Sequence, residues 1–218
     1  MSVAARLDLI PARDAEGFAA LSACSPAQMA DLERFRALLT EWNTRMNLVG
    51  PATLPDFWNR HAWDSAQLLA LAPEALTWAD LGAGAGLPGV VLAVLGKGRD
   101  GYHVNLIESI AKRCRFLTEV VEALNLPASV HNARAEALDL QVQVVTARAC
   151  APMRRLLGYA QPYFRAGARG LFLKGQDVAM ELEEAATYWD FDADLVESQS
   201  DARGQIVRVG RLGGARKG

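Results

Sequence analysis

The sequence predicts an α/β fold: a mostly parallel sheet with helices on both faces, preceded by N-terminal helices and closed by an antiparallel C-terminal hairpin. Three observations predict it. From Thr77 onward, short apolar strand segments alternate with helical ones, the order that parallel sheets with right-handed crossovers require. The first 76 residues show helical periodicity only. The last two strand-like segments face each other across one polar loop. The 218 residues, 51% hydrophobic and 22% charged, suffice for one sizeable core and exclude a disordered or fibrous chain.

The elements follow in order. Ser25, Pro26 and Gln28 read as an N-cap, a proline at the first helical position and a capping-box partner. Met29, Leu32, Phe35, Leu38, Leu39, Trp42 and Met46 then recur at three and four, an amphipathic helix of about five turns. After Asn47 to Pro51 a second helix is expected from about Leu54 to Leu71, ended by Pro73. Strands are expected at Thr77 to Leu81, Val104 to Glu108, around Val130, at Val142 to Ala147 and at Gly170 to Leu173. Helices start at about Pro88, Ile110 and Met153, and an acidic helix runs from about Val178 to Tyr188. Phe191 to Glu197 and Gln205 to Arg211 form the hairpin. Residues 1–76 are thus a helical region packed on a core domain of residues 77–218.

Composition narrows the function classes. No apolar run approaches the ~20 residues of a bilayer span, and Arg6, Asp8, Pro11, Arg13 and Asp14 interrupt any apolar leader, so a cytoplasmic address without membrane contact is expected. Cys24, Cys114 and Cys150 are scattered and odd in number, which argues for buried thiols over disulfides or zinc. His61, His103 and His131 lie in unrelated segments, and no metal site is expected. The net charge of -2 is unevenly spread: nine of the 25 acids fall between Asp177 and Asp201 with no Lys or Arg among them. Elsewhere 23 basic residues face 16 acids, and Arg203, Arg208, Arg211, Arg216 and Lys217 form an acid-free tail. Two oppositely charged faces are expected, the basic one suited to a phosphate backbone.

Between the first strand and its helix lies Asp80-Leu81-Gly82-Ala83-Gly84-Ala85-Gly86-Leu87-Pro88-Gly89, a loop whose glycines suit sharp turns and close approach to a ligand. Two ligands fit. Gly84, Gly86 and Gly89 satisfy G-x-G-x-x-G and Glu108 follows Gly89 by 19 residues, as a dinucleotide fold requires. Alternatively, Gly82, Gly84 and Gly86 pass beside the methionine part of S-adenosylmethionine. Pro88, which lacks an N–H at the helix start, weakens a pyrophosphate site there. Glu108 suits ribose hydroxyls in either reading.

The loop does not stand alone. Leu106-Ile107-Glu108-Ser109 with Lys112-Arg113, Asn132 to Glu136, Val145 to Ala149, Asn43 to Leu48, His61-Ala62-Trp63-Asp64-Ser65 and Gly170 to Gly175 follow in an order that resembles the RsmG (GidB) family. That family methylates N7 of a guanosine in 16S ribosomal RNA, and the resemblance spans roughly residues 25–175. It implies a Rossmann-like S-adenosylmethionine-dependent methyltransferase sheet, a monomer, and 16S RNA or a small-subunit particle as partner. By residue, it implies Gly82, Gly84, Gly86 and Leu87 at the cofactor loop, Glu108 at the ribose, Ala135 and Glu136 near the adenine, and Arg148 at the pocket edge. The last 43 residues match no motif of the family.

N7 of guanine carries a free lone pair, so orientation and electrostatics suffice and no catalytic acid or base is assigned, with Arg148 the candidate for positioning. In A-form RNA the groove that carries N7 is too deep and narrow for side chains, so the target base must be unpaired or flipped. Arg45, Arg60 and Lys174 are expected at phosphates, within a wider set that includes Lys112 and Arg113. His61, Asp64 and Ser65 share a helix face, either as a hydrogen-bond network or as an RNA contact. Two other classes stay open: a nicotinamide-dependent oxidoreductase, and a non-catalytic RNA-binding module on a methyltransferase shell.

Overall fold

The computed structural model describes residues 11–215. Arg6 and Asp8, and Arg216 and Lys217 of the basic tail, lie outside the described residues. Helix α1 (Ala15–Ser22) starts where the Asp14 side chain accepts from the Gly17 amide at 2.8 Å. Helix α2 (Pro26–Asn43) carries the expected capping box between Ser25 and Gln28, and the Gln28 amide group also reaches the Leu95 carbonyl. It ends short of Met46 because Asn43 Oδ1 accepts from the amides of Leu48 and Val49 and turns the chain. The helix expected over 54–71 starts later and changes pitch along its length. A 3-10 turn at Pro51–Thr53 leads to a π-helical segment, Trp58–Trp63, which continues into α3 (Asp64–Leu71).

Next come β1 (Thr77–Leu81), α4 (Gly89–Gly96), β2 (His103–Glu108), α5 (Ala111–Leu124) and β3 (Ala128–Asn132). A 3-10 turn at Ala135–Ala137 stands where a crossover helix would lie. The chain returns through β4 (Val144–Arg148), α6 (Met153–Arg165), β5 (Arg169–Lys174), α7 (Val178–Tyr188), β6 (Trp189–Glu197) and β7 (Gln205–Ala215). The seven strands lie in the order β3-β2-β1-β4-β5-β7-β6, the first five parallel and β7 antiparallel to both neighbours. The connections run outward from β1 to β3 and then resume on its other side at β4. A crevice therefore opens at the carboxyl ends of β1 and β4, where ligands bind in open α/β sheets.

Alternation along β1 divides the core between two faces. Trp78 joins Phe18, Phe35, Val91 and Phe116 on one side, while Ala79 and Leu81 join Leu156, Tyr163 and Phe172 on the other. The N-terminal helices share the first cluster with α4 and α5, through the tilted and edge-to-face rings of Phe18, Trp58, Phe57 and Phe35. Each fully buried phenylalanine there contributes roughly 2–3 kcal/mol.

Charge is arranged differently from the sequence expectation of two opposed faces. The β6–β7 register sets Asp194 opposite Arg208 and Asp192 opposite Arg211, and Arg211 also holds Asp190. Within the hairpin the acids of β6 are thus paired with arginines of β7. Of the three cysteines only Cys114 is buried; Cys24 and Cys150 are half-buried.

Candidate active site

The glycine loop sits at the crevice between β1 and β4. Gly82, Gly84 and Gly86 all have positive φ, at 70°, 50° and 79°. At Gly82 a β-carbon would lie 2.6 Å from Cys150 Sγ, and at Gly86 the same distance from Val90 Cγ2, so side chains are barred on steric as well as conformational grounds. Three of the loop's amides are already committed. Gly84 N–H donates to Glu108 Oε2 at 3.1 Å, Gly86 N–H to the Ala83 carbonyl, and Gly89 N–H to Asp80 Oδ2 at 2.8 Å. Pro88 has no N–H to give. An anion at the start of α4 would therefore find the Gly84, Gly86 and Gly89 amides already engaged and two carboxylates close by.

The acids beside the loop suit a cation instead. Asp80 is fully buried, and its Oδ1 has no partner among the described residues. Burial pushes its carboxyl up to about 7, the Gly89 amide and Arg148 pull against that, and Glu108 adds to it. Glu108, at the end of β2, is 4% exposed and also accepts from the Ile110 amide at 2.8 Å. Cys150 is no nucleophile, since burial first and then Asp80 and Glu108 raise its thiol to about 11.

In front of the loop lies a cavity of about 670 Å³. Gly82, Gly84 and Leu87 form one wall, with Arg148 and Lys174 from the ends of β4 and β5. The π-helical segment and the tip of the β6–β7 hairpin form the opposite wall, through Arg60, His61, Asp64, Ser200, Asp201 and Arg203. These two distant segments are tied together: Asn59 donates to the Ser200 carbonyl, Ser200 Oγ to Asp64 Oδ1 at 2.7 Å, and Arg60 meets Asp201 at 3.1 Å.

Arg148 crosses from the sheet to this wall. It donates to the Arg60 carbonyl at 2.8 Å, lies 3.4 Å from Asp64, and places Nη2 3.2 Å from His61 Nδ1. A guanidinium only donates, so Nδ1 is the acceptor and Nε2–H donates to Thr53 Oγ1 at 3.0 Å. His61 is held neutral, its pKa lowered to about 3 by burial first and Arg148 second. Of the two sequence readings of His61, the hydrogen-bond network describes its surroundings, because only 4% of the residue is exposed.

The structure does not unite all the expected residues. Ala135 is buried and Glu136 exposed beyond β3, and neither lines the 670 Å³ cavity; Glu136 borders a separate shallow recess with Asp139 and Arg165. Arg45 lies outside the cavity lining, exposed, paired with Glu41 and stacked over Trp42. Lys174 lines the cavity, with its side chain 9% exposed and bound to Glu181 and the Ala151 carbonyl. Arg113 does reach the cavity. Sequence reasoning named Arg203 only as part of the basic tail and missed Thr53, Ser200 and Asp201, whose proximity no local pattern encodes. Among the described residues no cluster of His, Cys, Asp or Glu could hold a metal ion.

Comparison with known proteins places this geometry. The family profile GidB, rRNA small subunit methyltransferase G, matches residues 28–206. The chain belongs to this family. It is 68% identical to the ribosomal RNA small subunit methyltransferase G of Caulobacter sp. strain K31, over 94% of this chain and 92% of that one. It is 49% identical to the Methylorubrum populi protein of the same name, over 85% and 89%. Membership of the GidB family makes the chain a methyltransferase of small-subunit ribosomal RNA.

Solved structures agree on the fold. A SAM dependent methyltransferase from Aquifex aeolicus superposes with a TM-score of 0.54 at 16% identity, over 80% of this chain and 97% of that one. A mutant of MtNAS in complex with S-adenosylmethionine gives 0.56 at 16% identity, over 91% and 84%. Among the described residues no helix is long and apolar enough to cross a membrane.

Proposed function

We propose that the protein transfers the methyl group of S-adenosylmethionine to N7 of a guanosine in 16S ribosomal RNA, acting as a cytoplasmic monomer on RNA or a small-subunit particle. The observation that carries the cofactor choice is the commitment of the glycine-loop amides to Asp80, Glu108 and the loop itself. A pyrophosphate is disfavoured where the amides are engaged and acids are adjacent, whereas a sulfonium is favoured by two carboxylates buried behind the loop. That separates this reading from a dinucleotide enzyme. When bound, S-adenosylmethionine supplies a methyl group on positively charged sulfur, activated for attack by a lone pair.

The chain's own residues supply geometry. The Gly82 to Leu87 loop gives backbone without β-carbons for close approach, and Glu108 presents a carboxylate to ribose hydroxyls. Ala135 and Glu136 flank the adenine in this reading, which rests on their family positions. Arg148, fixed by His61, Asp64 and the Arg60 carbonyl, orders the wall against which the base is aligned. Because N7 bears no proton at neutral pH, no residue has to remove one; His61, neutral with Nε2–H given to Thr53, is positioned for structure and not for proton transfer. Arg60, Arg113 and Arg203 line the cavity and suit the flanking phosphates of a flipped nucleotide.

Mass spectrometric mapping of ribosomal RNA from cells with and without the protein tests enzyme, substrate and site together. One N7-methylguanosine in 16S RNA should disappear in its absence and return on treating the deficient particles with purified protein and S-adenosylmethionine. An unchanged methylation map, with NADH bound in preference to S-adenosylmethionine, would overturn the proposal.

A further inference from the structure

We propose that Lys174 and Glu181 form a charge-balanced brace that positions the Ala149–Pro152 loop over the glycine cradle and tunes that cradle between sulfonium and thioether ligands. The inference rests on the S-adenosylmethionine reading above. Lys174 ends β5, and its ammonium is 2.6 Å from Glu181 Oε2 on α7 while donating to the Ala151 carbonyl at 3.1 Å. The same Glu181 oxygen accepts from the Met153 amide at 2.8 Å, so one carboxylate both caps the start of α6 and offsets the lysine. Between these anchors the chain turns through Ala149, at φ 50°, and sets Cys150 Sγ against Gly82. A line of contacts thus runs from Glu181 through Lys174 and Cys150 to the loop that holds the cofactor.

Charge gives the brace a second role. Lys174 and Gly82 line the same cavity. An unbalanced ammonium at that wall would oppose a positively charged sulfur and leave a neutral thioether untouched; Glu181 removes that bias. The pair therefore adds no electrostatic bias of its own between the cofactor before transfer and the product after it. Glu181 reaches the cofactor only through Lys174 and the loop, so it is a positioning residue.

Isothermal titration of the full chain with S-adenosylmethionine and with S-adenosylhomocysteine separates the two roles. Glu181→Gln should raise the ratio of the two dissociation constants, cofactor over product, by about three- to tenfold, as expected for one unbalanced charge within ~10 Å at an effective dielectric near 20 with partial screening. Lys174→Met should lower it by a similar factor, and the double variant should return it to within about twofold of wild type. The two single variants shift in opposite directions, so either one that folds decides. Both ligands weakening equally, or ratios that do not move, would overturn the brace as an electrostatic device while leaving the cofactor reading intact. Wild type that binds neither ligand would fail the cofactor reading and the inference with it. A log-log salt slope of RNA affinity shallower by about 0.7–0.9 in Lys174→Met would restore Lys174 to phosphate binding and refute the assignment.

Discussion

Replacing His61 by a residue that cannot titrate should remove a specific pH dependence of stability. In the folded protein His61 has its pKa lowered to about 3 from an ordinary 6.5, because burial and the facing Arg148 both oppose its cation. Above pH 6.5 the imidazole is neutral in both states and contributes no pH dependence. Below it the unfolded chain takes up a proton that the folded chain refuses, so stability falls as pH falls, by about 1.4 kcal/mol per unit. From pH 6.5 to 4.5 that amounts to about 2.7 kcal/mol, well within the reach of urea denaturation. Other groups titrate in the same range, notably Asp80, whose raised pKa acts with the opposite sign between its ordinary value of 3.8 and about 7. The informative quantity is therefore the difference between wild type and His61→Gln at each pH. The stability advantage of wild type over the variant should shrink steadily from pH 6.5 to 4.5 and be constant from 6.5 to 8. A difference independent of pH would mean that His61 accepts a proton in the folded state, and the Arg148–His61–Thr53 chain of hydrogen bonds would be refuted.

Further outcomes are expected around the loop and the cavity. Gly82→Val should abolish S-adenosylmethionine binding in titration calorimetry with the far-ultraviolet circular dichroism retained, since a β-carbon meets Cys150 Sγ and the backbone is left-handed; unchanged affinity would place the ligand elsewhere. S-adenosylmethionine affinity should rise with pH until about 7 and then level, as Asp80 ionises and attracts the cation, and Asp80→Asn should abolish the rise; wild-type affinity without that inflection would remove Asp80 from the site. RNA affinity should fall with salt, and Arg60→Ala or Arg113→Ala should each flatten the log-log slope by about 0.7–0.9, whereas Arg211→Ala, held by Asp190 and Asp192, should not; equal slopes for all three would dismiss the cavity cations. At saturating cofactor and RNA the single-turnover rate should stay nearly flat from about pH 6 to 8.5, with Arg148→Ala lowering the plateau; an acidic limb lost on replacing His61 would make His61 a general base.

The sheet was largely legible in the sequence because its signal is local. Trp78 and Asp80 alternate with Ala79 and Leu81, Val104 to Glu108 repeats the pattern, and glycines separate strand from helix, so β1, the loop and β2 could be placed within a residue or two. Asn43 shows where such reading stops, since its side chain ends α2 by bonding two amides ahead of it while the apolar period runs on to Met46. The π-helical turn at Trp58–Trp63 was hidden likewise, because apolar spacing there suits an α-helix equally well. For the site, the cofactor half was readable as one continuous motif. The opposing wall was not, because Asp64, Ser200 and Asp201 meet only through the fold. The partner of Lys174 was not legible either, because a lysine at a strand end is normally solvated and only the return of α7 supplies Glu181.

The cavity's two walls belong to different stages in the making of the chain. Residues 77–174 hold the glycine loop and all five parallel strands, whereas the facing wall joins Asn59 to Ser200 across 141 positions. Contacts so far apart in sequence form late, since a long loop must close before they are rewarded. During synthesis the cradle can assemble first, with the opposing wall incomplete until β7 pairs with β5 and brings the hairpin tip home. The wall proposed to meet RNA is thus the part of the cavity completed last, when the hairpin tip docks on the π-helical segment.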